Sequence, residues 1–163
     1  MTPQRYWHSI GLLAVFLAGS AQANSGAVPQ QFEAQIGGFF DGRTHVVLKG
    51  TRLEYTRYTA TQQLIEHSQI TPTAAQWRQF RQALQQAGVC SWQARYANHQ
   101  VLDGTQWQLR WHDGHCEVNA SGSNSYPDTQ GRDNQKPEPT PAFTHYLHAI
   151  ETLLGQQPNR LFR

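Results

Sequence analysis

The dipeptide Asp113-Gly114, set between two runs of alternating apolar residues, constrains this chain more than any other feature. Asp-Gly readily adopts the left-handed backbone that a two-residue hairpin turn needs. Counting outward opposes His112 to His115, Trp111 to Cys116, Arg110 to Glu117 and Leu109 to Val118. Side chains alternate across a strand, so Trp107, Leu109, Trp111, Cys116, Val118 and Ala120 share one face. Gln108, Arg110, His112, His115, Glu117 and Asn119 share the other. One face is apolar and the other wet, so the remaining chain must supply a cover for the apolar side.

Two segments have the pattern to do so. In the first, Trp77, Phe80, Leu84 and Ala87 recur at spacings of three and four, which predicts a helix with one apolar stripe. Thr71 is its expected N-cap and Pro72 its first helical residue. Gly88 is the left-handed residue that ends it, and Val89 the apolar follower. In the second, Thr140-Pro141 repeats the cap-plus-proline start, Phe143, Leu147, Ile150 and Leu154 form the stripe, and Gly155 closes it.

Further strands are expected at 31–36, 44–48, 51–58 and 64–70, from their β-branched and aromatic content. Lys49-Gly50 reads as the turn of another hairpin, opposing Val46 to Leu53, Leu48 to Thr51 and His45 to Glu54. Lys at a left-handed position is less comfortable there than Asn or Asp. The fold class that follows is α+β, an antiparallel sheet of hairpins with two amphipathic helices packed on one face. Residues 127–140 are polar and proline-rich, and read as a mobile surface loop.

Cys90 follows the first helix directly, and Cys116 faces inward on the hairpin, so the two are expected to form a disulfide. The expected compartment is oxidising. Arg5 and His8, an apolar run over 10–18 and Ala21-Gln22-Ala23 have the three-part pattern of a secretory signal peptide over residues 1–23. Residues 24–163 then form a single exported domain, periplasmic or secreted, with no membrane attachment after cleavage. Removing Arg5 leaves twelve basic against eleven acidic residues, and no basic cluster that would suit nucleic acid.

Chemistry-bearing motifs are sparse. No nucleophile elbow, His-Glu-x-x-His helix or phosphate-cradling loop occurs, so no catalytic residue is assigned and no cofactor is expected. His112 and His115 flank the hairpin turn and form a weak metal-site alternative, with no third ligand assigned by sequence. His145, His148 and Glu151, one turn apart on the expected outer face of the last helix, form another. Asp41, Asp103 and Asp113 each adjoin glycine, where turn formation accounts for them. Two segments read instead as recognition surface: Phe39-Phe40 in the loop Gly37-Gly38-Phe39-Phe40-Asp41-Gly42, and Asn124 with Tyr126 in Ser121-Gly122-Ser123-Asn124-Ser125-Tyr126-Pro127. Tyr126 fits either a packing lid or a contact anchor.

The order of Gly37-Gly38-Phe39, the proline-started helix over 71–87, the 107–120 hairpin and the terminal helix resembles emfourin-like small proteins and their uncharacterised bacterial relatives. The likeness spans roughly residues 32–155. It departs from emfourin in the signal peptide, the cysteine pair and the proline-rich loop. What the resemblance implies is a proteinaceous inhibitor of thermolysin-like metallopeptidases. The expected function is thus an exported non-enzymatic binding protein with a peptidase or envelope protein as partner. The alternatives are a small periplasmic metal-binding protein or enzyme that uses surface histidines, and an envelope structural domain.

Overall fold

The computed structural model describes residues 26–38 and 42–155. The expected signal peptide and Phe39-Phe40 lie outside the described residues. The fold is α+β. A seven-stranded sheet is formed by β1 (Gln31–Gly38), β2 (Gly42–Lys49), β3 (Arg52–Tyr58), β4 (Leu64–Ile70), β5 (Arg95–Ala97), β6 (Thr105–His112) and β7 (Glu117–Ser123). The strands lie in the order β4-β3-β2-β1-β6-β7-β5. All neighbours are antiparallel except β5, which runs parallel to β7, so the sheet is mixed rather than a plain set of hairpins. The helices are α1 (Ala74–Gln86) and α2 (Pro141–Leu153).

The core gathers on one face of β1 and β6. Phe32 opposes Trp111, Ala34 opposes Leu109 and Ile36 opposes Trp107, and all six are buried. Side chains from both helices meet this face. Phe80 of α1 lies edge-on to Phe32 and Trp111, at centroid distances of 5.1 and 5.5 Å. Phe143 of α2 lies 4.9 Å from Trp107. Trp107 Nε1 donates to the Ser125 carbonyl at 2.9 Å, so this indole is buried without losing its hydrogen bond.

Both hairpins are offset by two residues from the expected register, and in each the reason is local. Lys49 opposes Arg52 and Val46 opposes Tyr55, with Gly50-Thr51 as the turn. Gly50 takes the left-handed conformation, at φ +63°, which spares Lys49 from it. In the second hairpin His112 opposes Glu117 and Trp111 opposes Val118. Residues 113–116 form a four-residue loop in which Asp113 Oδ1 accepts from the backbone N–H groups of His115 and Cys116, each at 3.0 Å. That carboxylate turn takes up the two residues that a tight turn would have paired. A slip of one residue would have turned the strand inside out, whereas a slip of two keeps every side chain on its face.

The N-cap of α1 is Thr73 rather than Thr71. Thr73 and Gln76 form a reciprocal capping box, which places Pro72 outside the helix. For α2, Thr140 caps and Pro141 starts the helix as expected. Glu151 is 1% exposed, not on an outer face, because α2 is buried around most of its circumference. Cys90 and Cys116 are bonded, with Cα atoms 5.6 Å apart.

The 127–140 segment carries more internal structure than its composition suggested. Asp128 accepts from the N–H groups of Gln130 and Arg132 and pairs with the Arg132 side chain at 2.8 Å. These bonds hold its carboxyl below the ordinary range, led by the Arg132 backbone N–H. Tyr96 donates its hydroxyl to the Gly131 carbonyl at 2.8 Å, and Thr140 bonds the Pro127 carbonyl. Residues 135–139 are exposed. Among the described residues, no helix is long and apolar enough to cross a membrane.

Candidate functional site

The uncovered face of the sheet is polar, and its side chains form cross-strand rows. Glu33 bonds His45 at 3.0 Å on one side and Arg110 at 3.1 Å on the other. Lys49 pairs with Glu54 at 2.8 Å, and this bond chiefly holds the Glu54 carboxyl below its ordinary range.

The pattern changes where β1 meets β2. Two connections, the 59–63 turn and the 98–104 loop, meet the ends of β1 and β2 there. With the strand ends they enclose an open cleft of roughly 650 Å³. Its walls include Gln35, Gln62 and Gln106, the glycines 37, 38, 42 and 104, Arg43, and Leu102-Asp103. The three side-chain amides each offer donors and an acceptor.

Each wall has a local cause. In the 59–63 turn the Thr59 hydroxyl accepts from the Gln63 N–H at 3.1 Å, and Gln62 takes a left-handed backbone at φ +63°. A non-glycine residue there costs energy, and such sites cluster where structure is fixed for use. Gln62 Oε1 accepts from Arg43 at 3.3 Å. The opposite wall leans on Asn124, whose side-chain amide donates to the Val101 carbonyl at 3.3 Å. A side chain at position 104 would start 2.0 Å from Asn124 Oδ1, so Gly104 is required for this support to fit.

Arg43 is the electrostatic centre of the cleft. Its guanidinium lies 5.2 Å from the Tyr58 ring centroid and reaches only the Gln62 amide, while its Nε is buried with no hydrogen-bond partner. Among the described residues no carboxylate pairs with it.

The residues expected from sequence fall unevenly. Asn124 and Tyr126 are buried, not contact anchors. Asn124 stands behind the cleft wall, and Tyr126 packs 4.8 Å from Phe143, with burial raising its hydroxyl above the ordinary value. His112 and His115 do not oppose each other, since His112 faces Glu117. His145 and His148 line a small groove of about 130 Å³ between α1 and α2, and buried Glu151 is not among its lining residues. Among the described residues no three His, Cys, Asp or Glu side chains converge to hold a metal. Sequence reading missed Arg43, Gln35, Gln62 and Gln106. Their only signal was glycine on both sides of a strand link.

No known family's sequence pattern matches this chain, and no characterised protein is similar enough in sequence to count as a relative.

Proposed function

We propose that this chain is an exported, disulfide-bonded binding protein that engages a protein partner through the cleft end of its sheet. One observation carries the reading: a concave polar surface adjoins exposed apolar side chains. Leu102 is 97% exposed on the cleft wall, and Leu64 and Ile65, which follow the 59–63 turn, are also exposed. A polar cleft rimmed by unburied apolar groups suits a protein contact, where a few large side chains dominate binding. Phe39 and Phe40 join this proposal by their place in the chain between β1 and β2. Peptidase inhibition is the particular form suggested by the resemblance to emfourin-like proteins.

Export is supported by the disulfide, which suits an oxidising compartment.

The test is capture of partners from an envelope extract by the wild-type protein and by Leu102→Asp. The variant should lose the captured species while keeping the wild-type melting temperature. Equal capture by both would remove this surface from the proposal. Titration against a thermolysin-type peptidase tests the inhibitor form. An unchanged hydrolysis rate at micromolar protein would eliminate it for that target.

A further inference from the structure

We infer that the cleft is a carboxylate-binding site, with Arg43 as the anchor and a peptide as the ligand that carries the carboxylate. The inference rests on the reading of this sheet end as a contact surface and adds the chemistry of what enters it.

The arginines of this protein differ in their partners, and exposed Arg52 bonds a neutral amide, that of Gln69, at 3.3 Å. Arg81 donates to Asp113 at 3.2 Å, Arg110 to Glu33 at 3.1 Å and Arg132 to Asp128 at 2.8 Å. Arg43 is half-buried, yet its single hydrogen-bond partner is a neutral amide at 3.3 Å. A guanidinium carries five donors in a planar fork, and a buried donor without a partner is costly. The fold keeps that cost at a cleft rather than in the core. Tyr58, beneath the guanidinium, and Gln62, beside it, hold the fork in place without neutralising it. An immobilised, unneutralised fork matches a carboxylate, which can accept two parallel N–H bonds.

The remaining walls narrow the class. Asp103 opposes a second negative charge on the ligand, which disfavours phosphate and polyanions. Gln35, Gln62 and Gln106 supply side-chain donors and acceptors that a peptide backbone can match.

Isothermal titration of the oxidised protein tests this, with four probes. They are trialanine, trialanine amide, an amide-capped peptide with a central glutamate, and glucuronate. Trialanine or the glutamate peptide should bind at least tenfold more tightly than trialanine amide, and which of the two binds shows whether the carboxylate is terminal or from a side chain. Arg43→Gln should remove that preference. Arg110→Gln, an arginine of the same sheet face already paired with Glu33, should retain it. The inference is overturned if neither peptide carboxylate binds at millimolar concentration, if Arg43→Gln binds like wild type, if Arg110→Gln loses binding equally, or if glucuronate binds best. Should Leu102-dependent partner capture persist through such a failure, the contact-surface reading stands and the carboxylate assignment alone is lost.

Discussion

The two ends of the sheet use the same residue types to opposite effect. At one end Asp113-Gly114 closes the β6–β7 loop, and Asp113 is paired with Arg81. Both side chains are about nine-tenths buried, and the Arg81 guanidinium lies 5.7 Å from the Trp111 ring centroid. The disulfide ties the same loop to the end of α1. At the other end Asp103-Gly104 closes a loop beside Arg43, and this arginine also lies over an aromatic ring. Here no ion pair forms between Arg43 and a carboxylate. Identical chemistry is spent on cohesion at one end and left available at the other. The lesson is that charge composition is uninformative until its pairing is known.

The comparison can be broken or sharpened by substitution, beginning where the largest effect is expected. Trp107→Ala removes a buried indole that touches Phe143 and bonds Ser125, and should cost about 3–5 kcal/mol in denaturant unfolding. Replacing Cys90 and Cys116 together by Ser opens a loop spanning a sequence separation of 26. Chain entropy puts that loss at about 3.5 kcal/mol, read as the difference in unfolding free energy from the oxidised protein. Asp113→Ala removes the carboxylate that a mostly buried guanidinium bonds and strips two backbone N–H groups of their acceptor, so about 2 kcal/mol should be lost. Arg43→Gln is the matching change at the opposite end. It should alter stability by no more than about 0.5 kcal/mol in either direction, because no ion pair is broken. A loss comparable to that of Asp113→Ala would show that Arg43 is structural, and the contrast between the two ends would fail.

The smallest effect concerns pH. Asp128 is held below its ordinary value of about 3.8, so its contribution is complete above that value. It is lost as pH falls through the depressed folded value. Amide exchange in residues 127–134 should therefore quicken on acidification below about pH 3.8, ahead of exchange in β1 and β6. Uniform exchange across the molecule would mean that the loop does not respond as a local unit.

Much of the fold was legible because it rests on short-range regularities. The helix stripes, the cap at Thr140, the terminating Gly88 and the inward phase of Trp107, Leu109 and Trp111 all follow from periodicity and backbone preference. The disulfide followed from the inward phase of Cys116 and the place of Cys90 after the helix. Even the two-residue register offsets left these faces intact, since side-chain alternation has a period of two.

What tertiary structure alone decided was pairing across the chain. Arg81 meets Asp113 from a helix thirty-two residues away, and Arg110 meets Glu33 from seventy-seven away. No local pattern marks either meeting. Glu151 is buried only because α2 has neighbours around most of its circumference. β5 joins the sheet in parallel, with too few residues for its own sequence signal. The cleft belongs to this second class. It exists because the 59–63 turn and the 98–104 loop, distant in sequence, meet the ends of β1 and β2 in a sheet whose strand order is not the chain order. By itself the sequence determined which residues turn inward, for that depends on neighbours along the chain. Which arginines meet a carboxylate depends on neighbours in space, and only the assembled sheet supplies those.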